Sequence, residues 1–359
     1  MTAEPVLPPI TCPSSLVASC APLLGFTPDR SLVAFISGVP QRRSPVILRV
    51  DLPAAGDACS AATSTALSIA GTGGIAVDAV AWVDDQVTAV QAELSSSAFV
   101  DELLAALDLV GVEVGALLTT NGSVWWAHGC KDPICCPQGA RPLDMGTVEA
   151  IRAEYVYAGY APLASREQLA HQIARDDLRA HDVSEALRRR QPPRMTMRWR
   201  DAQIRFVASV LMPTVACAQD VVVGLPRQAP VAMTPSASAR LYRALADIRV
   251  RDVVLHRLAV RDPHCGPCRT ETIETLCRVV RAAPGGWAAP SATILALVSW
   301  LHGEGALASL AIQRALEEDP EYRLALLARQ LMSRGTDPRD WRASLQGLSE
   351  SECRAPRGR

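Results

Sequence analysis

The sequence predicts an α/β protein in two parts, an N-terminal mixed sheet of five strands with covering helices and then a C-terminal helical bundle. Three observations carry this. Between residues 15 and 128, short runs rich in Val, Ile and Leu alternate with apolar stripes of helical period. From residue 145 onward the period is almost entirely helical. The length, 359 residues, is about two domains' worth.

The elements follow in order. Residues 15–24 form an apolar helix, with Thr11 or Ser14 available as its cap and Gly25 as its stop. Residues 31–37 and 45–51 are strands. Only seven residues separate them, too few for a crossover, so they pair antiparallel. Residues 57–70 are an Ala- and Ser-rich helix. The motif Gly71-Thr72-Gly73-Gly74 follows this helix and precedes a strand, 75–83. Phosphate-cradling loops have the opposite order, so the motif reads as a helix stop. Residues 97–110 are amphipathic, with Phe99, Val100, Leu103, Leu104, Leu107 and Val110 on one stripe. Strands 112–119 and 123–128 flank Asn121-Gly122, a dipeptide suited to the positive φ angles of a tight hairpin. Trp125 and Trp126 are adjacent on a strand, so they face opposite sides of the sheet.

Helices continue over 147–157 and 165–190, the latter opened by Ser165 with Gln168 in the capping-box position. Arg188, Arg189 and Arg190 suit its C-terminal dipole. A linker with Pro192 and Pro193 occupies 191–194. Further helices cover 200–212, 235–247, 249–259, 269–282, 290–301, 306–318, 322–332 and 338–345. Their short connections imply antiparallel packing. Within 292–332, Ala308, Ala315 and Pro320 stand at tetratricopeptide spacing. A solenoid needs about three such repeats, so this reads as one repeat-like hairpin. The expected domains are a sheet domain, 1–144; connecting helices, 145–190; a helical domain, 195–347; and a disordered tail, 348–359.

Composition narrows the function. Hydrophobic residues make up 49% and charged residues 20%, which excludes wholesale disorder. The net charge of -1 supplies no basic field for indiscriminate binding of nucleic acid or acidic membrane. No apolar run reaches the roughly 18 residues of a spanning helix. No nucleic acid and no membrane is expected as a partner, and a protein partner of unknown identity stays open. Residues 1–10 lack the basic start and apolar run of a secretion signal, so a reducing, cytoplasmic setting is expected.

Eleven cysteines are unusual. Cys12, Cys20, Cys59, Cys217, Cys277 and Cys353 stand alone, and most of them read as small apolar core or surface residues. Cys130, Cys135 and Cys136, with His128 just upstream, are candidate zinc ligands. Adjacent Cys135 and Cys136 seldom reach one ion together. The alternative is a loop stiffened by Pro133 and Pro137 whose thiols pack under the sheet. Lys131 beside Cys130 leaves a reactive thiol open as well. Cys265-Gly-Pro-Cys268 spells a redox dithiol, but that chemistry needs a preceding strand, and residues 253–260 read as helix. A helix–helix connection is the reading the context favours, with His264 leaving metal binding open. No cofactor is expected, zinc being the alternative. No catalytic set, nucleotide loop or paired-His motif is legible.

Four stretches resemble one family: Pro22–Pro28 with Ser31-Leu32-Val33; Trp126 and His128 followed by Cys130–Pro137, Gly139, Pro142 and Leu143; Ser165-Arg166-Glu167; and Ala289-Pro290, Trp300, Gly303–Ala306, Ala308, Ala315-Leu316 and Asp319-Pro320. They resemble the actinobacterial family of unknown function DUF4192, from about residue 12 to about residue 342. The resemblance implies a cytoplasmic actinobacterial protein and supplies no mechanism. The single lysine, Lys131, among 36 basic residues fits a GC-rich source independently. Cys265–Cys268 falls outside the resemblance. The expected function is a non-enzymatic interaction or regulatory module. The alternative is an enzyme or a ligand- or metal-binding protein with a site between sheet and bundle, near residues 130–136.

Overall fold

The structure, a computed structural model, describes residues 8–40, 45–83, 89–128, 140–158, 160–189, 194–212, 233–260 and 266–354, with backbone alone at 55, 89–97 and 266–269. It divides into a sheet unit, 3–169 with 333–335, and a helical unit, 170–332 with 336–359.

The sheet unit contains α1 (Pro13–Leu24), β1 (Ser31–Ser37), β2 (Val46–Asp51), α2 (Ala58–Ala70), β3 (Ala76–Trp82), α3 (Ala89–Leu109), β4 (Glu113–Thr120), β5 (Val124–Ala127), β6 (Arg141–Pro142) and α4 (Met145–Tyr157). The α/β class predicted from sequence is what forms, with one strand more than the five expected. The strand order is β2-β1-β3-β4-β5-β6. β3 and β4 run parallel, joined by α3, and the other described pairs are antiparallel.

Strand alternation gives this sheet two apolar faces. Leu32, Ala34, Ile36, Val77, Ala79 and Leu117 point to the side covered by α2 and α3. Val33, Phe35, Val80, Trp82, Leu118 and Trp125 point to the side covered by α1 and α4. The result is three layers, helix pair, sheet and helix pair. Trp125 and Trp126 lie on opposite faces, as alternation requires, and both are buried.

One irregularity sits within the parallel pair. The β3–β4 register shifts between Val77 and Ala79, so that Gly115 and Ala116 together oppose Asp78. The Ala116 N–H donates to Asp78 Oδ1 at 2.8 Å, so the extra residue's amide has a partner. A Cβ at Gly115 would stand 2.5 Å from that oxygen, which is why glycine occupies the bulge.

The structure corrects several local expectations. The cap of α1 is Cys12, not Thr11 or Ser14. Pro13 opens the helix, Cys12 Sγ accepts the Ser15 N–H at 3.4 Å, and Ser15 Oγ accepts the Cys12 N–H at 3.0 Å. Helix α3 starts at Ala89, eight residues before the apolar stripe that announced it, because the segment Ala89–Ser96 consists largely of helix formers without a stripe. Positive φ in the hairpin is confined to Gly122. Asn121 contributes through its side chain instead, accepting the Ser123 and Val124 N–H groups at 3.0 and 3.1 Å. The helix expected over 165–190 is two, α5 (Arg166–His171) and α6 (Asp177–Arg188). Asp176 breaks it: its carboxylate caps α6 through the Arg179 N–H, and its own N–H donates to the Arg281 carbonyl.

The helical unit continues with α7 (Met197–Leu211), α8 (Pro235–Ala246), α9 (Ile248–Val260), α10 (Gly266–Arg281), α11 (Ala288–Leu301), α12 (Gly305–Glu318), α13 (Arg323–Ser333), α14 (Pro338–Gln346) and α15 (Glu350–Arg354). Every residue of α11 is buried except Pro290, and α12 packs against it. Ala308 and Ala315 are wholly buried in α12. The segment expected to be a disordered tail holds α15, and residues 355–359 lie outside the described residues.

Candidate functional site

The sheet register assembles a site from residues far apart in sequence. At the carboxyl ends of β3 and β4, one row of paired residues crosses all six strands: Asp51, Ser31, Trp82, Thr120, Trp125 and Arg141. Directly paired residues share a face, so the row lies on the side covered by α1 and α4. The N-termini of both helices come to this end of the sheet. The Asp144 N–H, at the cap of α4, donates to Ser14 Oγ in α1 at 3.0 Å, and the Leu143 N–H donates to the Ser123 carbonyl beside the hairpin.

A guanidinium stands at each end of the row. At the β6 edge Arg141 lies over the Trp125 ring, 5.7 Å from its centroid. At the β2 edge Arg49 pairs with Asp51 at 2.5 Å and lies over Phe26, 5.8 Å from its centroid. Between them, three polar atoms are buried without a hydrogen-bond partner among the described residues: Ser31 Oγ, Arg49 Nε and Trp82 Nε1. Ser31 is 0% exposed and Trp82 5%. Among the described residues the Trp82 N–H meets the thiol of Cys20 in α1, a contact too weak to count as a full partner because sulfur is a poor acceptor. Buried polar groups without partners are uncommon in native proteins and cost about 1–3 kcal/mol each. Here three fall on two adjacent rows of one sheet face. Two of them, the indole and guanidinium N–H groups, can only donate, so what the row lacks is acceptors.

The surrounding groups are held rather than reactive. Burial pushes the Cys20 thiol up to about 12, against a smaller lowering by Trp82. Burial likewise raises Tyr155, which shares a hydrogen bond with Ser19 of α1. In the helical unit, burial first, then the carboxylates of Glu304 and Glu274, push Cys277 up to about 12. A thiol that high is almost wholly protonated at neutral pH and is a poor nucleophile. Brief treatment of the native protein with iodoacetamide is therefore expected to spare Cys20 and Cys277 and to alkylate the exposed Cys12 and Cys59. Peptide mass spectrometry reads the pattern, and modification of Cys20 ahead of Cys59 would contradict it.

The residues singled out from sequence fall as follows. His128 follows β5, and its Nε2 shares a 2.6 Å hydrogen bond with Thr119 Oγ1, in register with Trp126. That ties one ring nitrogen to the sheet. Cys130, Cys135 and Cys136 lie outside the described residues, as does Cys265. Cys268 is in the first turn of α10, with only its backbone described. The described helix before the motif is α9, and α10 itself takes in Gly266 to Cys268, which the sequence pattern places in the connection. Among the described residues, no group of three or more His, Cys, Asp or Glu is placed to hold a metal ion. Among the described residues no helix is long and apolar enough to cross a membrane. Sequence reasoning missed Ser31, Arg49 and Trp82, since no motif links them. Only the register does.

Comparison with known proteins adds one match. The family model described as a domain of unknown function, DUF4192, matches residues 13–339. No curated protein and no solved structure matches the chain.

Proposed function

The chain belongs to the DUF4192 family, and for this member we propose a non-enzymatic regulatory module of the actinobacterial cytoplasm whose sheet unit binds a small, acceptor-rich anion. The observation that carries the proposal is the cluster of buried atoms without an oxygen or nitrogen partner among the described residues, Ser31 Oγ, Arg49 Nε and Trp82 Nε1. A carboxylate or phosphate oxygen supplies what these donors need, and Arg49 and Arg141 supply charge at the two ends of the row. The position agrees with a general habit of α/β sheets, whose ligands collect at the carboxyl ends of strands where the connection pattern changes. β3 is such a place, with an antiparallel neighbour on one side and a parallel one on the other. That habit is an analogy of fold and adds weight only to the location. The arginine-for-lysine usage and the family together support the assignment to an actinobacterial cytoplasm.

Thermal-shift titration of the full chain with acetate, citrate, inorganic phosphate and a nucleoside monophosphate tests this. At least one is expected to raise the melting temperature in a saturable way, since a ligand bound only by the folded state stabilises it by mass action. Trp82→Phe keeps most of the ring's bulk, removes the N–H and is expected to abolish the shift. No saturable shift with any of these anions, or an equal shift in Trp82→Phe, would defeat the proposal.

A further inference from the structure

We propose that the sheet row selects a short, singly charged carboxylate, and that Asp51 sets this preference by excluding doubly charged phosphates. The inference deepens the anion-binding reading of the row and rests on it.

The first observation is the charge at the β2 end of the row. Arg49 Nη2 pairs with Asp51 Oδ1 at 2.5 Å. In the register Asp51 stands directly opposite Ser31, and Ser31 directly opposite Trp82. The Asp51 side chain is 80% exposed and that of Arg49 17%, while Arg49 Nε is buried. The guanidinium thus already serves one carboxylate at the solvent side and keeps a donor on the buried side. Its single positive charge balances Asp51. An incoming monoanion shares that charge and adds one net negative charge to the site. A phosphate dianion adds two, beside a carboxylate one strand away. Arg141 stands three strands from Trp82, roughly 14 Å at ordinary strand spacing. That is beyond the screening length of about 8 Å in physiological salt, so Arg141 offsets little of the second charge.

The second observation is the donor count. Trp82 Nε1 and Arg49 Nε each supply one N–H, and Ser31 Oγ one hydroxyl. A carboxylate accepts about four hydrogen bonds, so three leave it nearly satisfied. A phosphate monoester has three terminal oxygens, and the same three donors leave about half of its acceptor sites unmet. Helix α1 adds little, because the Ser15 and Ser19 hydroxyls donate to the Cys12 and Ser15 carbonyls beside them. The surroundings point the same way. Val33, Val80 and Cys20, which pack in one apolar cluster with Trp82, are 0% exposed. Burying charge is costly, and the solvation cost rises as the square of the charge, so a dianion costs about four times what a monoanion does. A neutral carbonyl compound avoids that cost but forgoes the charge-assisted bond from Arg49, roughly twice as strong as a neutral one. One negative charge on two oxygens is the chemistry that meets all three conditions.

The test titrates the full chain with acetate, acetamide and methyl phosphate at one ionic strength and mildly alkaline pH, where methyl phosphate is a dianion. Binding is read from the indole N–H resonance of Trp82. Acetate is expected to bind at least ten-fold more tightly than either of the others. The variant Asp51→Asn removes one exposed charge and keeps a side chain of the same size. It is expected to tighten binding by about ten-fold per negative charge on the ligand, the order that a partly screened charge one strand away exerts. Acetate then gains about ten-fold, methyl phosphate about a hundred-fold and acetamide nothing, so the preference for acetate narrows about ten-fold. A merely structural role for Asp51 would move all three alike. Methyl phosphate binding the wild-type chain as tightly as acetate, or a preference unchanged in Asp51→Asn, would overturn the proposal and leave the anion reading standing. Acetamide binding as tightly as acetate would overturn both. No movement of the resonance with any of the three would also overturn the proposal, and the melting-temperature titration decides whether the anion reading falls with it.

Discussion

Gly74→Val is expected to destabilise the sheet unit by about 3 kcal/mol, near the upper end for overpacking a close contact. The turn after α2 brings Gly74 against β1. A Cβ there would stand 2.2 Å from Ile36 Cγ2 and 3.1 Å from the Ser37 carbonyl oxygen. Ile36 is wholly buried in the α2/α3 face and cannot swing away, and the carbonyl belongs to the sheet backbone. The turn itself is set by Gly73, at φ +75°, and by Thr72, whose hydroxyl donates to the Ile69 carbonyl and accepts the Gly74 N–H. The glycines therefore serve the fit of a helix stop to a strand. Urea unfolding followed by far-ultraviolet circular dichroism measures the loss. A midpoint within error of wild type would contradict the close approach.

Arg251→Ala is expected to cost the helical unit about 4 kcal/mol, the usual scale for removing one partner of a buried ion pair. Arg251 and Asp252 are 7% and 8% exposed. The guanidinium donates to Asp252 Oδ1 through Nε at 3.0 Å and Nη2 at 2.8 Å, and to Tyr322 Oη through Nη1 at 2.7 Å. It thereby joins α9 to the turn before α13. Truncation deprives a buried carboxylate of its guanidinium, so the cost comes mainly from Asp252 and not from the lost bonds themselves. The double variant Arg251→Ala/Asp252→Ala removes both charges and is expected to recover part of the stability. Denaturant midpoints of the two variants decide the matter. A loss below about 1 kcal/mol in Arg251→Ala, or no recovery in the double variant, would contradict this account.

The difference between what was legible in the sequence and what was not has a physical basis. Strands and helices announce themselves through local periodicity, so β1 is found at its observed limits and α12 within one residue of them. A two-residue strand such as β6 has no period to detect. The start of α3 lacks an apolar stripe, and the break at Asp176 depends on a distant carbonyl, that of Arg281, which no local pattern encodes. The candidate site was still less visible. Serine at the head of a strand and tryptophan at the tail of another are ordinary residues, and they become a site only because Ser31 and Trp82 pair across β1 and β3. His128 was noticed for its neighbouring thiols, yet its described partner is Thr119, which pattern reading had no reason to single out. Cysteine spacing drew attention to Cys130–Cys136 and Cys265–Cys268. The cysteine whose surroundings bear on the row is Cys20, which stood alone in the sequence.

The central claim is that the Trp82 indole N–H awaits an acceptor from a bound anion. Its most direct measurement is the indole 1H–15N resonance of Trp82 in the full-length protein, assigned by its loss in Trp82→Phe and followed during titration with whichever anion raises the melting temperature. The account predicts a downfield, saturable proton shift of the Trp82 resonance, with the same midpoint as the thermal effect and weakened by Ser31→Ala. A Trp82 resonance that stays in place while the protein is stabilised would contradict it and put the anion elsewhere on the chain.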